Sequence, residues 1–305
     1  MNPVSGKDAD FLKAQSITFR SIERALKEAH GKVEVKFFTT QFSEDHSVIP
    51  DWVKRTTDLT RSMKDQVSPD TVRKLPLLSE ILSKLKEVSD ADYFIYTNAD
   101  IALMPSFYLM CDEYAKKGYD AFAINRRRIS QRFLEHDDLE AMYVEAGEKH
   151  PGYDTLVFKR SLLEKFEIGD ICIGVPYFDT VLIHNLYAFA NEFRLFTNKH
   201  LTFHIGMELV KQWGNDDECE HNREELRKVL KKLYQHFRIE NFPGADLNFF
   251  SRHFKWFWNP TFSYPMMLRL DLSQLRRKRR KRESREDKER YFEFVAKQIN
   301  FPDEW

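Results

Sequence analysis

The sequence has few cysteines, no long apolar run and no excess of either charge. Its three cysteines, Cys111, Cys172 and Cys219, show no CxxC spacing, which argues against a zinc ribbon or a disulfide scaffold and fits a reducing compartment. No apolar run approaches the ~20 residues needed to cross a bilayer, and the first residues do not resemble a signal peptide. The number of Lys and Arg residues equals the number of Asp and Glu residues, so the chain has no net charge that would attract a polyanion. We therefore expect a cytoplasmic protein with no nucleic-acid partner.

What the chain does contain is a regular alternation of helical and strand patterns. Aromatic residues make up 14% of the 305 residues, which is enough for a sizeable core. The pattern predicts helices at 14–29, 75–88 and about 105–117, and strands at 33–39, 93–96 and 119–125. The fold class expected is α/β, with a mostly parallel central sheet flanked by helices and a C-terminal helical appendage. We expect a first domain over 1–215 and a second region, helical, aromatic and basic, over 216–305.

The most informative stretch runs from Asp92 to Ile101. An apolar, aromatic run typical of a buried strand breaks abruptly into Thr97, Asn98, Ala99 and Asp100. Open α/β sheets place their ligand sites beyond the carboxyl ends of their strands. Asn98 and Asp100 are two residues apart, so in extended backbone their side chains share one side and offer oxygen ligands for Mg²⁺ or Mn²⁺. The alternative is a polar turn that merely ends the strand.

Several short segments occur along the chain in an order that resembles a known protein family. They are an early helix with Gln15, Thr18, Ser21 and Ile22, then Asn98–Asp100, Gly152–Arg160, Ile173–Asp179 and Phe203–Gly206. This order resembles the nucleotide-sugar glycosyltransferases of the GT-A fold over roughly residues 1–210. In that family an Asp-x-Asp motif after a central strand binds the donor diphosphate through a divalent metal. A later acid often serves as the base, and a late His often completes the metal shell.

The resemblance implies a role for each matching position. Asn98 and Asp100 stand for the metal motif and contact the donor, which is expected to be of the UDP or GDP type. His204 matches the late metal ligand, so Asp100 and His204 would hold Mn²⁺ or Mg²⁺. Asp179 matches the acid that deprotonates the acceptor, although an aspartate there could equally cap a helix.

Three further residues are expected to contact substrate. Arg126 and Arg128, just past a strand, would grip phosphate oxygens, unless the arginine triplet 126–128 is only a solvated edge. Asp154 would contact the acceptor, or hold its own loop. The acceptor itself, whether a glycan, a lipid or a protein, stays open.

Two departures from the family pattern keep other functions open. Asn98 replaces an aspartate, which removes one negative charge from the metal motif. Only Met1–Val4 precede the early helix where the family has its first strand, so that strand is short or the chain begins inside the domain. A catalytically silent binding or scaffold protein of the same fold is the alternative function. A nucleotidyltransferase is a weaker one, because Ser5-Gly6-Lys7 is too short for a phosphate loop.

The last third of the chain is strongly charged and aromatic. Seven consecutive basic residues, Arg276–Arg282, lie on a predicted helix over 275–298. They predict peripheral contact with an anionic membrane at its inner face or with nucleic acid, or form a solvated helix balanced by the acids that follow. The aromatic stretch from Phe249 to Trp258 would cover an acceptor groove, form a dimer face or pack as core, the usual place for such residues.

Overall fold

A computed structural model describes residues 1–298 apart from 7, 69, 136–137, 151, 207–213 and 260–263, with side chains described to residue 290. The chain forms two compact units, Met1–Asn241 and Phe242–Trp305. The first unit contains mixed sheets flanked by helices and the second is helical, so the predicted α/β class with a C-terminal helical appendage is confirmed. The domain division at residue 215 stays a prediction. Among the described helices, none is both long and apolar enough to cross a bilayer.

The described helices flank the sheets of the first unit and make up most of the described part of the second. They are α1 (Ala9–Ala29), α2 (Leu78–Val88), α3 (Phe107–Lys116), α4 (Leu139–Val144), α5 (Arg160–Leu163), α6 (Phe178–Phe189), α7 (Asp216–Leu233), α8 (Phe249–Phe257) and α9 (Tyr264–Gln298). Short 3₁₀ turns connect some of these elements. They cover Ser43–Val48, Met63–Asp65, Gln131–Leu134, Tyr234–His236 and Ile239–Asn241.

The described strands form two four-stranded sheets and one short pair. They are β1 (Phe38–Thr39), β2 (Lys54–Arg55), β3 (Tyr93–Thr97), β4 (Ala102–Leu103), β5 (Ala121–Ile124), β6 (Arg127–Ile129), β7 (Glu148–Lys149), β8 (Thr155–Lys159), β9 (Phe193–Phe196) and β10 (Thr202–Ile205). The central sheet has the order β3-β8-β5-β9, and the second sheet has the order β4-β10-β6-β7. Strands β1 and β2 pair with each other in parallel.

Three strands of the central sheet run in one direction and one is reversed. Strand β8 is antiparallel to both β3 and β5, while β5 and β9 are parallel. Strands β3, β5 and β9 therefore share one direction, and the reversed β8 makes the sheet mixed. The side chains of β3, β5 and β8 are largely buried because helices cover the sheet, which explains the apolar runs of these strands in the sequence.

The chain passes between the two larger sheets four times within a few residues, and one of these links is residues 197–201 between β9 and β10. Residues 98–101 join β3 to β4, residues 125–126 join β5 to β6, and residues 150–154 join β7 to β8. These three links meet at one junction, because Thr97 pairs with Thr155, and Ile124 pairs with Thr155 from the other side. The polar residues of the links are thereby brought together from distant parts of the sequence.

Helix α1 anchors the second sheet to the core. It begins at a cap where Asp8 accepts a hydrogen bond from the Phe11 N–H. Ile17 and Ile22 are fully buried on its inner face. Ser21 Oγ accepts a hydrogen bond from the Leu103 N–H at 2.9 Å, which fixes β4 and so the link that precedes it.

The strand predicted at 33–39 is shorter than expected. Only Phe38 and Thr39 are in a strand, and the preceding residues, although they alternate, contribute partly buried side chains to the core instead. The first residues of the chain lie beside this strand. The Thr40 N–H donates to the Met1 carbonyl at 3.0 Å, and Asn2 Nδ2 donates to the Thr40 carbonyl at 2.7 Å.

The second unit packs around a buried charge and a buried indole. Arg252 and His253 on α8 both bond to Asp271 Oδ2 on α9, at 2.6 and 2.9 Å. The indole N–H of fully buried Trp256 donates to the Pro243 carbonyl at 2.9 Å. Helix α9 begins at Tyr264, well before the predicted start at residue 275, and Pro265 occupies its first turn, where the missing N–H costs nothing.

Candidate functional site

The first link between the sheets holds Asn98 and Asp100. Strand β3 ends at Thr97, and the chain turns through a backbone hydrogen bond from the Ile101 N–H to the Asn98 carbonyl. This turn buries Asp100 and leaves Asn98 half-buried. His204 on β10 lies next to it, with Nε2 at 3.3 Å from Asp100 Oδ2. The contact follows from the register, since Ala102 pairs with Phe203 on the neighbouring strand.

Asp100 is held as a carboxylate despite its burial. Burial by itself opposes ionisation, but the contact with His204 and the positive charge of Arg126 outweigh it, so the pKa of Asp100 lies below its ordinary value. A buried carboxylate kept charged next to an imidazole is a suitable ligand for a cation.

The second and third links supply a buried ion pair. Arg126 follows β5 and Asp154 precedes β8, and the two strands are hydrogen-bonded neighbours. The Arg126 Nη1 atom contacts Asp154 Oδ1, and both side chains are largely shielded from solvent. The antiparallel ladder between β3 and β8 also places Asp154, the residue before Thr155, opposite Asn98, the residue after Thr97.

Asp154 is harder to ionise than Asp100. Burial raises its pKa to about 6, the charge of Arg126 opposes this shift, and the negative charges of Asp100 and Asp179 add to it. These mutual effects show that the three carboxyl groups lie within electrostatic range of one another, although they come from residues 100, 154 and 179.

Asp179 enters the cluster from the start of α6. The residue before that helix, Tyr177, has φ +84°, a left-handed conformation that is costly for a non-glycine residue. The Thr180 N–H donates to Asp179 Oδ1 at 2.7 Å. Burial raises the pKa of Asp179, and the Thr180 hydrogen bond opposes that shift. The first turn therefore holds a carboxyl group that picks up a proton more readily than an exposed aspartate.

The three arginines of the triplet have different surroundings. Arg126 is part of the cluster just described. Arg127 donates to the Gly147 carbonyl and to Asn198 Oδ1. Arg128 is buried on β6, pairs with Glu148 at 2.8 Å and is the register partner of His204 on β10. The triplet is thus not a solvated edge, and Arg126 and Arg128 lie on either side of the sheet junction.

His150 belongs to the cluster although no sequence pattern points to it. Its Nε2 atom lies 3.3 Å from Arg126 Nη2, and its Nδ1 atom lies 3.8 Å from Asp154 Oδ2. The same Nδ1 accepts a hydrogen bond from the Gly152 N–H at 2.9 Å. In the sequence, His150 stands four residues before Asp154. This spacing indicates a contact only when the turn between β7 and β8 is known.

Four buried polar atoms of this cluster have no hydrogen-bond partner among the described residues. They are Asn125 Oδ1, Arg126 Nε, Asp154 Oδ2 and His204 Nδ1. Native proteins leave few buried polar atoms unpaired, because each costs about 1–3 kcal/mol. Their concentration at one junction indicates a place where a polar ligand or water completes the bonding.

The residues present fit a divalent cation held by two protein ligands. Within the described parts of the chain, no group of three or more His, Cys, Asp and Glu side chains is arranged to hold a metal. Asp100 Oδ2 and His204 Nε2, at 3.3 Å, are spaced as two neighbouring ligands of one ion would be. Mg²⁺ and Mn²⁺ sites that serve phosphate transfer commonly use one or two protein ligands, with substrate oxygens and water completing the shell.

Comparisons with known proteins found similar structures but no close relative. No protein-family model matches the chain, and no curated protein matches it either. S. aureus TarS 1-349 in complex with UDP-GlcNAc has a TM-score of 0.47 and 12% identity, covering 80% of this chain and 70% of that one. The mannosyltransferase PcManGT from Pyrobaculum calidifontis, in complex with GDP-Man and Mn²⁺, has a TM-score of 0.38 and 11% identity, covering 77% and 61%. Each of these two structures contains a nucleotide sugar, UDP-GlcNAc in the first and GDP-Man in the second.

Proposed function

We propose that this protein is a glycosyltransferase that moves a sugar from a nucleotide-sugar donor to an acceptor hydroxyl. The observation that carries the proposal is the junction of the two sheets, where Asp100, Asp154, Asp179, His204 and Arg126 converge. Grouping three carboxyl groups within range of one another is costly when Asp100 and Asp154 are buried and Asp179 is half-buried, and perturbed acids grouped in this way are typical of catalytic sites.

The donor diphosphate is assigned to the side of the cluster formed by the first two links. Arg126 and Arg128 provide guanidinium groups for phosphate oxygens. The side-chain amide of Asn98 provides a hydrogen-bond acceptor and donor. Asp100 and His204 would hold Mn²⁺ or Mg²⁺, which as a Lewis acid stabilises the charge that grows on the leaving diphosphate.

The acceptor is assigned to Asp179 and Asp154. In the transfer, an acceptor oxygen forms a bond to the anomeric carbon of the sugar, the bond from that carbon to the diphosphate breaks, and the hydroxyl proton passes to Asp179. The raised pKa of Asp179 suits a proton acceptor, and such a group typically contributes roughly 10²–10⁴-fold to the rate. Asp154, held by Arg126, orients the acceptor.

Calorimetric titration with UDP and GDP, each with and without Mn²⁺, tests the proposal. UDP and GDP are chosen because the similar structures hold UDP-GlcNAc and GDP-Man. We expect binding that requires Mn²⁺ and disappears in Asp100→Ala. Asp92→Ala, an exposed aspartate before the same strand, is the matched control and should bind as the wild type does.

Two results would contradict the proposal in different ways. Binding that is independent of Mn²⁺ and unchanged in Asp100→Ala would place the nucleotide elsewhere. Normal binding with no turnover of UDP-GlcNAc or GDP-Man, with water or sugar acceptors, would favour the silent binding protein of the same fold. That outcome would agree with the loss of charge at Asn98.

A further inference from the structure

The second unit carries an exposed aromatic face on α8. Helix α8 and Trp258, the residue that follows it, carry several aromatic side chains. Trp256 is fully buried, whereas four of the others are 59–83% exposed. The exposed ones are Phe250, Phe254, Phe257 and Trp258. Their spacing of three and four residues puts them on one side of the helix, away from the buried Trp256. The expectation that these aromatics pack as core is therefore wrong for all four of them.

Three of these rings, those of Phe254, Phe257 and Trp258, form a continuous apolar surface. The ring centroids of Phe254 and Trp258 are 6.3 Å apart, and those of Phe257 and Trp258 are 5.3 Å apart. Exposing large aromatic rings to water is unfavourable. Contiguous exposed apolar patches usually mark sites that bind a protein, a membrane or a ligand. Lys255 is exposed between them on the same helix.

The basic run lies in the same unit, and most of its charge is free. Every residue of Arg276–Arg282 is exposed. Arg279 and Arg282 pair with Glu283 and Glu286, four residues along the helix. The other five basic residues of the run form no ion pair within the described part of the chain. The acids that follow therefore neutralise the run only in part.

We propose that the second unit docks on an anionic lipid surface, with the α8 rings inserted at the interface and the free basic residues of α9 above the headgroups. Aromatic rings at the headgroup level together with Lys and Arg side chains are the combination that anchors an interfacial helix. Leu272 and Leu275, exposed on α9 just before the basic run, add apolar surface. A second copy of the chain would complement the rings but would repel the seven basic residues. This proposal does not depend on the proposed function.

Co-sedimentation of the full chain with vesicles tests the proposal. One set of vesicles contains phosphatidylcholine alone and the other also contains phosphatidylglycerol, each at low and high salt. We expect binding to the anionic vesicles that weakens with salt. Replacing the free basic residues of 276–281 by Gln should lower the partition coefficient about fivefold for each residue removed.

Matched variants separate the aromatic contribution from a general loss of solubility or folding. The triple variant Phe254→Ser, Phe257→Ser, Trp258→Ser should lower the partition coefficient by at least about tenfold. Val144→Ser, which changes an exposed apolar residue of the first unit, should leave it unchanged. Circular dichroism checks that both variants are folded.

Three results would overturn the proposal. The first is equal binding of the triple variant and the wild type to anionic vesicles. The second is the absence of binding to vesicles of either composition, including the case where the chain binds a polyuridine RNA instead. The third is a dimer in analytical ultracentrifugation that the triple variant abolishes while vesicle binding persists, since the rings would then join two copies of the chain.

Discussion

The two compact units depart from the usual distribution of side chains in opposite ways. The unit from Met1 to Asn241 buries charged groups at the sheet junction, with Asp100 and Asp154 both shielded from solvent. The unit from Phe242 onward leaves aromatic rings in water, with Phe250 and Trp258 among the most exposed. Both arrangements cost stability, because charges favour water and aromatic rings avoid it.

The comparison indicates what each unit is suited to bind. Buried carboxyl groups with perturbed pKa values and unpaired polar atoms suit a small, charged ligand and proton transfer. Exposed rings beside free basic residues suit an extended apolar and anionic surface. This difference motivates the two proposals, catalysis at the sheet junction of the first unit and attachment through the aromatic face of the second.

The largest effect is expected from removing the proposed base. Asp179→Asn should lower kcat by roughly 10²–10⁴-fold, because the amide cannot take the acceptor proton. Nucleotide binding should stay close to that of the wild type, since Asp179 is assigned to the acceptor. Steady-state kinetics beside calorimetry checks this, and a parallel loss of nucleotide affinity would move Asp179 to the donor side.

The next effect concerns the buried ion pair. Arg126→Met should lower the free energy of unfolding by roughly 3–5 kcal/mol, because it leaves Asp154 buried without its cation. The double variant Arg126→Met, Asp154→Leu should recover much of that loss. Arg132→Ala, which breaks a largely exposed pair with Glu145, is the control and should change little. Urea denaturation measures all three, and equal effects for Arg126 and Arg132 would show that the pair is not buried in solution.

Two tryptophans two residues apart sharpen the contrast inside the second unit. Trp256→Ala should cost about 3–5 kcal/mol in the free energy of unfolding, because it empties a buried indole site. Trp258→Ala should change that free energy by less than about 0.5 kcal/mol, since 69% of its surface is exposed. Urea denaturation of the two variants gives the difference directly. Similar costs at both positions would mean that the Trp258 ring is covered in the folded protein.

The pH dependence of stability reports on Asp154. Its pKa in the folded state is about 6, above the ordinary value near 3.8, so the folded state holds a proton that the unfolded chain has already lost. The contribution of Asp154 to stability is therefore largest below about pH 4 and falls as the pH rises to about 6, by up to about 3 kcal/mol. Asp154→Asn should remove this decline. Urea denaturation from pH 4 to 7 measures it, and identical slopes for both proteins would place the Asp154 pKa near its ordinary value.

The parts of the structure predicted from sequence are those that depend on local pattern. The break from apolar to polar at Thr97 located the end of β3 and selected Asp100, and most helices lie within a few residues of their expected positions. The reversed direction of β8 has no local signature, because a strand shows the same period in either direction. The pairing of Arg126 with Asp154 depends on that direction, so both residues were selected but their contact was not.

The errors came from side chains whose surroundings are set by distant segments. His150 enters the cluster only because the turn before β8 brings it beside Arg126. For the aromatic residues from Phe249 to Trp258, the sequence leaves an acceptor groove, a dimer face and a core open, and the general tendency of such rings favours the core, yet α8 buries only one side of itself. In both cases the residue type was visible in the sequence and its partner was not.

A crystal structure of the protein with UDP and Mn²⁺, with an anomalous difference map for manganese, tests the central claim most directly. We predict a manganese peak in contact with both Asp100 and His204, and diphosphate oxygens that reach the metal and Arg126. A nucleotide bound away from the sheet junction, or a junction that contains neither metal nor phosphate at saturating concentrations of both, would contradict the claim.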